Sequence, residues 1–287
     1  MEIRATRRIV NGVALALLML GSLAAAQTAK KGDYLKNIEL CNGSGRTSFT
    51  ARIDGCTAFI ESGEGKTTAL AVAYNNRGNA HAAQGAYDQA IADFERSIKL
   101  APTYAKPFNN LGAAYLRKGE YDLALKALDD AIRLNPSYGG AFANRAGAYL
   151  KKNDYDRAAR AYDEAARLEP NRSAVSAGRC WTRAVLGSLQ AALEDCRRAL
   201  QQFPDDAAAH DSLGLIHLKM DQFGAAIDDF SSALRIDPKL ASALYGRGLA
   251  KLKNGDVAGS DADISAAKTI QAGIGDDFAR YGVRASN

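Results

Sequence analysis

The residues best equipped for chemistry in this chain are few, and their surroundings narrow what they can do. Gly63-Glu64-Gly65-Lys66-Thr67-Thr68 ends as a phosphate-binding loop ends, with lysine and threonine following glycine. The place of that motif's first glycine is held by Ile60, and no apolar strand leads into it, so the segment reads as a linker between helices. His210 and His217 stand seven residues apart and could in principle share a metal ion. No carboxylate pair, nucleophile with a histidine base or glycine-rich cofactor fingerprint accompanies them. An enzyme is therefore not expected, and no catalytic residue, resident metal or cofactor is assigned.

The four cysteines, Cys41, Cys56, Cys180 and Cys196, are an even count, which points to bridges in a chain that leaves the reducing cytoplasm. Residues 1–26 carry the signs of export: Arg4, Arg7 and Arg8, an apolar run from Val13 to Leu23, then Ala24-Ala25-Ala26 before Gln27. That run is shorter than the ~20 residues a membrane-spanning helix needs, so the segment reads as a signal peptide cleaved after Ala26. The expected location is the periplasm or the medium beyond it, with no stable membrane insertion after cleavage. Removing the segment takes the formal net charge from +5 to +3. With so mild a charge and no arginine stripe interleaved with aromatics, nucleic acid is not an expected partner.

What positions these groups is a period. Five of the six prolines fall at 102, 136, 170, 204 and 238, a constant step of 34. A period of that length marks units that bury their apolar faces only by stacking on one another. Placing each proline at position 32 divides the array into 71–104, 105–138, 139–172, 173–206, 207–240 and 241–274. Position 8 then reads Gly78, Gly112, Ala146, Cys180, Gly214 and Gly248, all small. Positions 20 and 27 are equally small, from Ala90 and Ser97 to Ser260 and Ala267. Position 17 is bulky (Tyr87, Tyr121, Tyr155, Leu189, Phe223, Val257), and so is position 24 in most units (Phe94, Leu128, Tyr162, Phe230, Ile264). Spacings of 3, 4 and 7 are those of amphipathic helices. Gly85, Gly119, Asn153, Gly187, Asp221 and Gly255 at position 15 stop the first helix of each unit, and the proline stops the second.

Each unit is thus an antiparallel helix pair, in which Cys180 at position 8 and Cys196 at position 24 approach each other. Cys180–Cys196 and Cys41–Cys56 are the expected bridges, against the competing reading that Cys180 and Cys196 merely fill small core positions. In the same register His210 takes the place of Phe108 and Phe142, and His217 that of Tyr115 and Tyr149, as core substitutions.

Tyr74-Asn75-Asn76-Arg77-Gly78, Tyr87-Asp88-Gln89-Ala90 and Leu134-Asn135-Pro136 resemble the pattern of the tetratricopeptide repeat family. The resemblance implies an all-α right-handed superhelix of six stacked pairs over 71–274. A worn half-repeat and cap lie over 27–70 before it, and a capping helix and tail over 275–287 after it. On the capping face stand Ile274, Phe278 and Tyr281. It also implies that positions 2, 5, 6, 9, 12 and 13 of the first helices line an open concave channel. There Asn75, Asn76, Asn79, Asn109, Asn110 and Asn144 form a ladder of primary amides. Amides donate and accept at once and so can bond a peptide backbone in either sense; the plain alternative is a solvated helix face. Arg117 and Lys151 add positive charge at the channel edge. The family's clamp for acidic carboxyl-terminal peptides is not matched: of the residues it requires, only Asn79 and Asn110 stand in place, beside Asn75, Gly140 and Asn144. The expected function is a protein–protein adaptor binding an extended peptide or protein segment in the channel. The alternative is a structural subunit of an envelope assembly using its convex face or ends.

Overall fold

The computed structural model describes residues 32–43 and 47–284, and every regular element in it is an α-helix. The expected signal peptide over residues 1–26 lies outside the described residues. The chain divides into two compact units, one ending at Lys118 and the other beginning at Gly119.

The first unit holds α1 (residues 32–42), α2 (Phe49–Ser62), α3 (Thr67–Ala83), α4 (Tyr87–Leu100) and α5 (Ala105–Lys118). Ser48 starts α2 by accepting the Ala51 N–H at 3.1 Å, and Gly63 ends it in the left-handed conformation. Gly63 to Lys66 therefore links α2 to α3. Cys41 and Cys56 form a disulfide between α1 and α2, with Cα atoms 4.4 Å apart.

The second unit holds α6 (Tyr121–Leu134), α7 (Gly139–Lys151), α8 (Tyr155–Leu168), α9 (Ser173–Val185), α10 (Leu189–Gln202), α11 (Ala207–Lys219), α12 (Phe223–Ile236), α13 (Ala241–Lys253), α14 (Val257–Ile270) and α15 (Ile274–Arg280). Each helix from α6 to α14 packs on the next. In addition α7, α9, α11 and α13 touch in succession, while α8, α10, α12 and α14 do not touch one another. Pairs that meet along one edge only must fan apart at the other, so these first helices line the inner face of the unit. The turn inside each pair uses a residue at positive φ, including two that are not glycine, Asn153 and Asp221, both at 57°.

Close approach within a pair follows from the small residues. A Cβ built on Gly214 would lie 2.6 Å from the ring of Phe230, which is fully buried, and one on Gly78 would lie 2.6 Å from Phe94. The same spacing brings Cys180 and Cys196 into a disulfide, Cα atoms 5.3 Å apart.

A second recurring contact, polar and present in three of the pairs, joins the helices. Arg77 holds Asp93 with two hydrogen bonds (2.8 and 2.7 Å), Arg247 holds Asp263 likewise (2.7 Å each), and Arg179 holds Asp195. All three arginines stand at position 7 and all three aspartates at position 23. Burial pushes the Asp263 carboxyl up, but bonds from Arg247 and Lys251 outweigh it and hold it below the usual carboxylate range. In the pair α9/α10, Arg183 adds bonds to Asp195 (2.9 Å) and Asp163 (2.7 Å). In this pair Ser176, Arg183 and Cys196 stand in register with Phe142, Tyr149 and Tyr162 of the preceding pair, and charge and a bridge tie it instead.

Candidate functional site

Several amides of the predicted ladder bond one another. In the first unit Asn110 Nδ2 donates to Asn75 Oδ1 at 2.9 Å, and Asn109 Nδ2 donates to Asn110 Oδ1 at 3.1 Å; Asn75 and Asn109 are buried. Asn76 Nδ2 donates to Asn42 Oδ1 at 3.4 Å. These amides bond one another across α3 and α5, while Asn79 and Arg117 are exposed. Asn144 and Lys151 belong to α7 in the second unit. His217 Nδ1 sits 2.5 Å from Asp229, whose carboxyl burial pushes up and the histidine pulls back. His210 Nε2 lies 3.0 Å from the carbonyl of Pro204, so the two histidines engage different partners. Among the described residues no group of three or more His, Cys, Asp or Glu is placed to hold a metal.

A pocket does form on the inner face of the second unit. It encloses about 510 Å³ and is lined by Gly147, Leu150 and Lys151 of α7, Trp181 of α9, Asp211 and Ser212 of α11, with Tyr155 and Tyr281. A volume of this size accommodates a few side chains of a peptide. Small residues make the room: Ala177 on α9, Ala208 on α11 and Gly147 on α7, where an added Cβ would meet nothing within 4 Å. Trp181 is the only tryptophan in the chain. Its ring meets Tyr155 edge-on at 5.8 Å between centroids, and Tyr155 meets Tyr281 at 6.4 Å.

The channel is not left open, as the sequence led one to expect, but is partly filled by the chain's own carboxyl-terminal segment. Ile274 and Phe278 of α15 are buried in the core, where Phe278 lies 4.9 Å from the ring of Tyr245. The helix then ends, and Tyr281 turns toward α9. Lys219 Nζ, reaching from α11, donates to the carbonyl of Tyr281 (2.8 Å) and to those of Ala184 (2.8 Å) and Val185 (2.9 Å). Burial lowers the pKa of this ammonium and lifts the Tyr281 phenol to about 12.

Beneath these rings lies Asp211. Its Oδ2 accepts the Ser242 hydroxyl at 2.7 Å, while its Oδ1 is buried with no hydrogen-bond partner. Burial pushes this carboxyl up to about 7, against the lowering effect of the Ser242 bond. A signal for the pocket was legible: Asp211, Trp181 and Ser242 occupy positions 5, 9 and 2, which the family resemblance points inward. Tyr281 was legible as a capping residue, but its place in the pocket was not, because it comes from outside the repeated array.

Comparison with known proteins agrees with this architecture. Sequence models of the tetratricopeptide repeat match residues 71–104 and 105–138, and 144–207 and 212–273. No curated protein sequence matches the chain. Among solved structures, a tetratricopeptide repeat protein from Parabacteroides merdae is similar at 15% identity and TM-score 0.62, over 88% of this chain and 100% of that one. PilW, described as a type IV pilus biogenesis factor, is similar at 16% identity and TM-score 0.61, over 70% of this chain and 93% of its own. YrrB, described as having an unusual peptide-binding site, is similar at 21% identity and TM-score 0.55, over 68% of this chain and 98% of its own. At such identities the likeness is one of fold.

Proposed function

The chain belongs to the tetratricopeptide repeat family, and from that premise we propose that it is a non-enzymatic adaptor seating an extended segment of a partner protein on the inner face of its second unit. The observation that carries this reading is the pocket of Trp181, Tyr155, Leu150 and Asp211, an apolar concavity with a few converging polar groups. Tryptophan and tyrosine in such a recess are the residue types that anchor partners. The amides of Asn75, Asn109 and Asn110 already bond one another, so part of their bonding capacity is spent within the fold. That balance favours the second unit over the first as the principal contact.

The adaptor reading goes with export. The basic, apolar and small-residue order of residues 1–26 supports it, as do two disulfides, which persist in oxidising compartments. Among the described residues no helix is long and apolar enough to cross a membrane.

Photo-crosslinking amino acids at Ala177 and Ala208, which line the pocket, and at exposed Glu194 and Arg198 on α10 test the reading. The expected result is one partner segment, identified by mass spectrometry, joined to the pocket positions and lost when Leu150 is changed to Asp. Crosslinks from α10 alone would favour an assembly subunit that packs by its outer helices.

A further inference from the structure

The pocket keeps one acidic group without an opposite charge. Asp211 Oδ1 is buried without a donor, and among the described residues no ion pair reaches this carboxylate. The ammonium of Lys219, on the same helix, is committed to three carbonyls, and Lys151 stands exposed at the rim. A buried carboxylate left in this way is costly, and one that lines a cleft is a candidate for contact with a ligand. We infer that the pocket is a subsite for a basic side chain of the partner, lysine or arginine. Its charged head would meet the Asp211 carboxylate, and its stem would lie along Leu150, Tyr155 and Trp181. This inference rests on the groove reading above and gives it a chemical class of ligand.

Three properties of the site favour a cation over a neutral donor. The N–H groups of an ammonium or guanidinium supply the bond that Oδ1 lacks and carry the charge that an ionised carboxylate needs. Aromatic faces attract cations. A methylene stem packs on apolar walls while its head reaches further in. Ser242 already holds Oδ2, which fixes the carboxylate in place before a ligand arrives. Tyr281 lines the same pocket and interacts electrostatically with Asp211. Two backbone bonds, from its N–H to Asp277 and from Lys219 to its carbonyl, hold its main chain, while ring contacts alone hold its side chain, so the ring is the part that would turn aside to admit the basic head.

The sole tryptophan reports on the pocket, so emission from Trp181 in the full disulfide-bonded chain is the readout. The probes are the pentapeptide acetyl-Gly-Ala-Lys-Ala-Gly-amide, the same peptide with Nε-acetyl-lysine, and the arginine and citrulline pair. Saturable changes are expected for the lysine and arginine peptides, with binding about tenfold or more weaker for their uncharged counterparts. Asp211→Asn should abolish that difference while retaining the weak binding of the uncharged peptides, and Tyr281→Ala should tighten the basic ones. Equal binding of charged and uncharged peptides, or undiminished discrimination by Asp211→Asn, would overturn the basic-side-chain inference and leave the groove intact. If no peptide of the set altered the emission, both the inference and the groove reading would fall.

Discussion

The ring of Tyr281 meets that of Trp181 edge-on, with centroids 5.3 Å apart and planes at 85°. One residue comes from the segment after α15 and the other from the inner face of α9, so the segment that follows the repeated array reaches back into the channel of the second unit. Changing Tyr281 to Ala removes this contact, the one to Tyr155 and the one to Phe278, yet leaves the core residues Ile274 and Phe278 in place. The expected loss is about 1–3 kcal/mol in urea unfolding. Trp181 emission should move to the red and become more open to acrylamide quenching, because its edge gains water.

Asp211 predicts a pH dependence. Its carboxyl stands at about 7 in the fold, against about 3.9 in an unfolded chain. Between those values the native state holds a proton that the unfolded state has lost, so stability falls as pH rises from about 4 to about 7 and is level beyond. Asp211→Asn lacks that slope. It should match the parent near pH 4 and exceed it by up to about 4 kcal/mol at pH 8, measured by denaturant unfolding across the range. A parent as stable at pH 8 as at pH 5, relative to the variant, would show that the carboxyl is not held in this way.

The Cys180–Cys196 bridge closes a loop of sequence separation 16. A loop of that length gives roughly 3 kcal/mol by restricting the unfolded chain. Changing both cysteines to Ala should lower stability by about that amount and make the remaining transition respond to reductant only through Cys41–Cys56. Four free thiols on unreduced protein would contradict both bridges.

Gly214 sits where a methyl group would collide with the ring of Phe230. Gly214→Ala should therefore cost about 1–3 kcal/mol even though alanine is the better helix former, because overpacking outweighs the propensity gain. The double variant Gly214→Ala, Phe230→Leu should recover part of the loss.

Those two residues also show which features of the fold the sequence carries. Gly214 and Phe230 belong to columns that repeat every 34 residues, and periodic packing leaves a periodic trace. Cys180 and Cys196 stand in the same two columns, which is why their meeting was readable. The pairs Arg77–Asp93, Arg179–Asp195 and Arg247–Asp263 also share one register. Only three of the six units carry the pair, so its period is broken and less legible than that of the small and bulky columns. Asn75 and Asn110 mark a different limit: residue type reveals an amide, but whether it faces a ligand or another amide depends on rotamers and helix spacing. Tyr281 marks the last limit, since a single contact from beyond the array has no second copy to reveal it.

The chain's single indole gives one N–H resonance, and following it while the crosslinked partner segment is added tests the central claim most directly. If the inner face of the second unit is the binding surface, that resonance should shift and saturate together with those of Leu150 and Tyr281. A Trp181 resonance that stays fixed while signals from exposed Glu194 and Arg198 on α10 move would place the partner on the outer helices and contradict it.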